Sequence, residues 1–378
     1  MNQIEKIFDK VEPINHSIGS GYINNKIRIK DKKFSIKSIY KIVQHFKWMN
    51  ETKMINETKI LIDSEYIVDQ SIITLLEAII YFIINDWNYK VSYRFSVNEN
   101  LLGFQVFKKS VLYKYNNKKI DIIQYNKEYN TTLIVDKEHF RKLCKNSLEN
   151  RAGKFISITM SEVDSFLKAF DIDDEYREQL TEVIVEILDN ALNHSYSDCI
   201  LNINVIKSEY MKYKFIDVSV VSIDDISFGT EIKKYIEMKD KSEYSDKNRI
   251  VLEALKNHEK FFNKEYNIDN FCVISAFQKY VTTRKNTKNC GTGLTTLIKA
   301  LIDGASENYC YAITGKTNII FKKDLLNLDQ NGLIGFNELN DYISNIPDKK
   351  SININIYDIN TNIYNLQFVF KENGNERK

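Results

Sequence analysis

Glu182, Glu186, Asn190 and His194 recur every four residues, which sets two carboxylates, an amide and an imidazole along one line of a helix. Asp189 and Asn193 lie beside that line. A solvated helix ridge is expected to mix lysine with glutamate, and this one does not. Mg²⁺ is a hard ion that takes oxygen ligands and keeps several waters while it bridges phosphates. An amide oxygen one turn from a carboxylate lets the amide hold such a metal while the carboxylate orients a nucleophile. Taken alone, a surface helix and a nucleotide site account for the ridge equally well.

The element that must carry these groups is a helix over Tyr176 to His194. Leu180, Val183, Ile184, Ile187, Leu188, Ala191 and Leu192 fall at i, i+3, i+4, i+7, i+8, i+11 and i+12, a stripe with one face in a core. A second element lies further along at Gly291-Thr292-Gly293-Leu294. Its two glycines precede the helical pattern Leu294, Leu297, Ile298, Leu301, so backbone N–H groups can turn toward an anion at the positive end of a helix. A lone Gly-x-Gly is also what any tight turn uses.

The stretch Glu186-Ile-Leu-Asp-Asn190-Ala-Leu-Asn-His194 resembles the N-box of the GHKL superfamily of gyrase-type, heat-shock, mismatch-repair and histidine-kinase ATP-binding domains. Asn289-Cys-Gly291-Thr292-Gly293-Leu294 resembles the second glycine box of the same family, with Thr295 and Thr296 where the family has a further glycine and leucine. The resemblance implies a Bergerat-type ATP site with ATP and Mg²⁺ as ligands. Within it Asn190 is the metal ligand, Glu186 the general base, and His194 lies near the phosphates or the lid. Gly291, Thr292, Gly293 and Leu294 would line the phosphates. Thr282-Thr283-Arg284-Lys285 falls where the family keeps its mobile lid, so Thr283 and Arg284 join the candidate site; a solvated basic loop reads equally well. The first glycine box, DxGxG in the family, matches Asp225-Ile-Ser227-Phe-Gly229 with serine at its first glycine, and Asp224 competes with Asp225 for the adenine contact.

In the N-terminal half, Ile36, Ile39, Tyr40, Val43 and Phe46 recur at helical spacing. Thr58 to Asp63 reads as a buried strand, Ser71 to Asn85 as a mostly buried helix, and Lys90 to Phe95 as a half-buried strand. Strand, helix, strand is one βαβ unit and favours parallel pairing. This order is similar to a STAS domain, a family that often carries a phosphorylatable serine or threonine at the start of that helix. Ser64 and Ser71 occupy the neighbourhood, and ordinary cap or loop serines are the alternative. Residues 98 to 145 show short apolar stretches, Leu101 to Val106 and Thr131 to Val135, without a motif. The fold class expected is therefore α/β: a STAS-like regulatory domain over 1–149 and a GHKL-type domain over 150–378, the latter a mixed sheet with one helix layer. Tyr309 to Phe321 reads as two short strands around Gly315, and Ile352 to Tyr357 and Tyr364 to Phe370 as the final strands.

With 43% hydrophobic and 28% charged residues the chain reads as folded, and a formal net charge of +2 gives no bulk pull toward nucleic acid or membrane. The longest apolar run, Ile72 to Ile84, contains Thr74 and Glu77 and falls short of the roughly 20 residues that span a bilayer. Five scattered cysteines without CxxC spacing read as reduced thiols in a cytoplasmic protein. Three functions fit a Mg-ATP site: a slow ATPase or nucleotide switch acting on a protein partner, a serine kinase of the anti-sigma-factor type, and a nucleotide-binding interaction module without turnover. Neither His45 nor His139 has the acidic neighbour and proline of a histidine-kinase phosphoacceptor. The partner is not named by the sequence, and a homodimer is open.

Overall fold

The structure is a computed structural model that describes residues 7–13, 26–53, 56–96, 102–135, 138–147, 154–170, 172–194, 197–207, 213–224, 226–238, 248–279, 281, 293–304 and 310–371. It is mixed α/β. The N-terminal half runs β1 (Lys26–Ile29), β2 (Lys33–Phe34), α1 (Ile36–Thr52), β3 (Glu57–Asp63), β4 (Tyr66–Ile67), α2 (Gln70–Asp86) and β5 (Lys90–Ser96). There follow α3 (Leu102–Lys108), β6 (Lys118–Lys119) and α4 (Ile122–Tyr129). Strands β1, β3 and β5 pair in parallel, β3 with β5 as the βαβ spacing predicts, and β6 adds an antiparallel edge through Ser92 and Lys119. Strand β3 is not buried on both faces. Thr58, Ile60 and Ile62 point inward while Glu57 and Lys59 are exposed, because helices cover only one side of this sheet.

The second half begins with β7 (Leu133–Val135) and β8 (His139–Cys144), then α5 (Lys154–Leu167), α6 (Asp174–His194), β9 (Cys199–Lys207) and β10 (Tyr213–Ile223). Helices α7 (Thr230–Glu237), α8 (Arg249–His258), α9 (Ile268–Ala276) and α10 (Gly293–Gly304) come next. The chain closes with β11 (Tyr311–Thr314), β12 (Thr317–Ile320), β13 (Ile352–Ile354) and β14 (Thr361–Lys371). Eight strands form one sheet in the order β13-β12-β11-β14-β10-β9-β8-β7. Every pairing in it is antiparallel, so the expectation of a mixed sheet is corrected. The physical reason is connection length: β9 to β10 and β11 to β12 are joined by short links, which only antiparallel neighbours can use. Gly315, with φ of 54°, makes the tight turn between β11 and β12. Strands β7 and β8 come from the stretch that shows no motif in the sequence.

Both faces of this sheet are covered. On one, Ile203, Ile216, Val218, Val220 and Leu366 pack with α5, α6 and α10 into a single core. On the other, Ile200, Val221, Ile223, Ile313 and Ile363 join the core of the N-terminal half beneath α2. The expected single helix layer is thus the layer supplied by the C-terminal half itself, and α2 supplies a second. Among the described residues no helix is long and apolar enough to cross a membrane.

The seam under α2 is polar as well as apolar. Asp69 caps α2, accepting from Ile72 N at 3.3 Å, Ser71 Oγ at 2.5 Å and Tyr311 OH at 2.6 Å. Asn202 Nδ2 donates to Thr74 Oγ1 at 2.8 Å, Asn204 Nδ2 donates to Gln70 Oε1, and His139 Nε2 bonds Asn202 Oδ1 at 3.0 Å. Arg141 Nε meets Glu77 Oε2 at 3.4 Å, with the side chains 1% and 3% exposed. Breaking one partner of such a buried pair costs about 3–5 kcal/mol, because the other charge stays buried.

Two groups in this seam titrate in opposite senses. Burial lowers His139 to about 4, whereas burial raises Asp217 to about 6 against the hydrogen bond it takes from Gln367. A depressed imidazole makes stability rise with pH from about 4 to its ordinary 6.5; a raised carboxyl makes it fall from its ordinary 3.8 to about 6. The two slopes nearly cancel. Urea unfolding across pH 4–6.5 should therefore show Asp217→Asn gaining stability with rising pH relative to the parent chain and His139→Gln losing it. The same sign of change in both variants contradicts the assignment.

Candidate functional site

Helix α6 forms where the periodic stripe predicts it. Its first turn carries Asp174 and Glu175, which suits the positive helix start, and Arg177 ties that turn to Asp164 of α5 at 2.8 Å. Val183, Ile184, Ile187 and Leu188 are buried against the sheet and against Leu297, Ile298 and Leu301 of α10. With that face fixed, the polar line is graded. Glu182 stays exposed, while Glu186 and Asn190 are half-buried.

Asn190 Nδ2 donates to Glu186 Oε1 at 3.4 Å. This orients the amide so that Oδ1 takes no hydrogen bond among the described residues and is the atom left for a hard cation. Amide and carboxylate oxygens one turn apart suit Mg²⁺, which is held by one or two protein oxygens and completed by water and phosphate. Among the described residues no three His, Cys, Asp or Glu side chains gather in a metal-ligating cluster.

Tyr364 of β14 is buried, and its hydroxyl is pushed up first by burial and then by the Glu186 charge. Its ring stacks on Phe228 at 4.8 Å and 17°. Asp224, just past β10, continues the ladder through its N–H to Asn360 O at 2.9 Å, and its Oδ1 accepts from Ile226 N at 3.1 Å. The following loop is clamped by strand-end side chains. Phe228 N donates to Thr314 Oγ1 at 3.0 Å, Thr314 Oγ1 donates to Asn362 Oδ1 at 2.5 Å, and Asn362 Nδ2 donates to Ile226 O at 2.8 Å. Tyr364, Thr314 and Asn362 were not legible as site neighbours. They sit in strands with no motif, and only the β10–β14–β11 register brings them to the loop.

Ser227 is held locally: its N–H donates to Thr230 Oγ1 at 2.9 Å, and the two hydroxyls lie 3.1 Å apart. Gly229 is required for space. Its φ of −84° is ordinary, but a Cβ there would lie 2.7 Å from Val273 N and 2.8 Å from Cys272 C and Cβ in α9. Gly293 opens α10, and this helix packs on α6. Asp225, Thr283, Arg284, Gly291 and Thr292 lie outside the described residues, as do the side chains of His194 and Leu294. The two serines at the start of the βαβ helix are buried, and Ser71 is hydrogen-bonded to Asp69 and Tyr311.

Gly229→Ala should lower stability by about 1–3 kcal/mol in denaturant unfolding, because the methyl group meets α9 backbone that cannot rotate away. A loss below about 0.5 kcal/mol, the size of an ordinary surface change, refutes the close approach. Compared with known protein families and with curated proteins, the chain matches none.

Proposed function

We propose that the C-terminal half is a Bergerat-type, GHKL-like ATP-binding domain and that the chain is a cytoplasmic, Mg-ATP-dependent regulatory protein acting on a protein partner. The observation that carries this reading is the half-buried, hydrogen-bonded Glu186–Asn190 pair on a helix whose apolar side is packed into the core. The order of elements supports it. A helix bearing the Glu–Asn pair leads into the β9–β10 hairpin, Asp224 follows β10, helices come next, and Gly293 starts a helix that packs back on α6 before β11 and β12. The parallel β1-β3-β5 arrangement with its intervening helices supports a STAS-like N-terminal half. Cys144, Cys199, Cys272 and Cys310 form no disulfide among the described residues, in keeping with a reducing compartment.

Bound Mg-ATP supplies the phosphoanhydride and the charge neutralisation that phosphoryl transfer needs. In this reading Asn190 Oδ1 holds the cation and the Glu186 carboxylate orients a water. Glu186 takes the water proton as the water oxygen bonds to the terminal phosphorus and the bridging oxygen leaves on ADP. Asp224 or Asp225 receives the adenine amino group. The stack of half-buried Phe228 on buried Tyr364 would give the site an apolar floor.

γ-Labelled ATP separates the outcomes for the purified full chain. Slow phosphate release that falls by about 10²–10⁴-fold in Glu186→Ala is the expected result for a positioned general base. Label retained on protein points to a serine kinase of the anti-sigma type. Phosphate release unchanged in Glu186→Ala removes Glu186 from its role.

A further inference from the structure

The four-stranded sheet of the N-terminal half has an open face. Its inner face, with Ile27, Ile60, Ile62, Val91 and Tyr93, belongs to the core beneath α1 and α2. Side chains alternate along each strand, so the intervening residues share the opposite face, and these are exposed or half-buried. Sheets built of parallel strands are ordinarily covered on both faces. This one instead presents six cations, Lys26, Arg28, Lys59, Lys90, Arg94 and Lys119, against two carboxylates, Asp63 and Glu57.

The charges are not balanced locally. Asp63 is shared by Arg28 Nε at 2.9 Å and Arg94 Nη2 at 3.2 Å, and Glu57 takes Lys119 at 3.3 Å. Lys26, Lys59 and Lys90 make no ion pair among the described residues. Lys26 and Lys59 are moreover register partners on adjacent strands, and like charges directly opposite are destabilising. Leu61, half-buried, lies in register between Arg28 and Arg94, which gives the face an apolar centre inside a basic rim. The whole chain carries a formal net charge of only +2, so this basic character belongs to the face and not to the molecule.

We propose that this face docks an acidic protein surface. A site for single-stranded nucleic acid would set aromatic side chains among its cations to stack bases, and this face carries none among the described residues, while Asp63 already engages Arg28 and Arg94. A second copy meeting it face to face would set lysine against lysine. With strands about 4.8 Å apart and about 3.3 Å per residue, the face offers on the order of 350 Å², below the roughly 800 Å² per partner of a standard interface. The contact is therefore transient, driven by charge and weakened by salt.

The test uses the full chain, a fluorescent 20-residue glutamate-rich peptide and a fluorescent single-stranded 20-nucleotide DNA, titrated by anisotropy at low and high salt. Two triple variants change the net charge equally: Lys26→Glu, Lys59→Glu, Lys90→Glu on the face, and Lys256→Glu, Lys264→Glu, Lys350→Glu at exposed positions elsewhere. The expected result is peptide binding that weakens about tenfold or more in the face variant and less than about threefold in the control, with DNA bound more weakly than peptide. Lys59→Glu alone should leave the melting temperature unchanged or raise it, because it removes the repulsion with Lys26. Equal weakening in both triple variants, or no peptide binding by the parent chain, overturns the proposal. DNA bound more tightly than peptide and lost only in the face variant makes the surface a nucleic-acid site and overturns it too.

Discussion

An eight-stranded antiparallel sheet has two faces to bury, and in this chain neither is left to water at its centre. Helices α5, α6 and α10 take one face with an apolar core. The other carries Asn202, Asn204, Asp217 and Arg141 among its isoleucines and valines, and only an element bearing matching polar groups can cover it without leaving them unpaired. Helix α2 is that element. Gln70, Thr74 and Glu77 meet Asn204, Asn202 and Arg141 in turn, at the first, second and third turns of one helix. Sliding α2 by a residue would break all three contacts at once, so the polar seam fixes where the N-terminal half sits on the sheet.

That constraint reaches the candidate site through β10. The strand is hydrogen-bonded along both edges, to β9 and β14, and covered on both faces. Asp224 therefore emerges from a rigid support, and the loop after it is held by Thr314 and Asn362 from neighbouring strands. Glu186 and Asn190 ride on a helix whose apolar side is locked into the opposite layer. Groups set on regular elements and braced by their neighbours are held more closely than groups on free loops. Ser227 is held because its hydroxyl and N–H both find Thr230. Gly229 has no room for a Cβ.

Much of this was legible in the sequence, and the limits have physical causes. The α6 stripe, the βαβ unit and the β11–β12 hairpin follow from periodicity and turn chemistry, which act over a few residues. The all-antiparallel pairing and the membership of β7 and β8 depend on long-range register, which local pattern does not encode. Residues such as Asn202 and Asn204 alternate with apolar neighbours as on a strand with one face in water, yet both are buried under α2. Composition along a strand reports polarity, and it does not report whether water or a matched helix supplies the partner. At the site, Glu186, Asn190 and Gly293 could be found from spacing, whereas Tyr364, Thr314 and Asn362 come from strands far away in the chain.

The central claim is that the Glu186–Asn190 pair and its surroundings form a Mg-ATP site. Calorimetric titration of the full chain with ATP, in Mg²⁺ and again in EDTA, tests it most directly. The account predicts one ATP per chain in Mg²⁺, binding weakened by about tenfold or more when Mg²⁺ is removed, and loss of the Mg²⁺-dependent part in Asn190→Ala. Absence of ATP binding in Mg²⁺, or binding equally strong in EDTA and in Asn190→Ala, contradicts it.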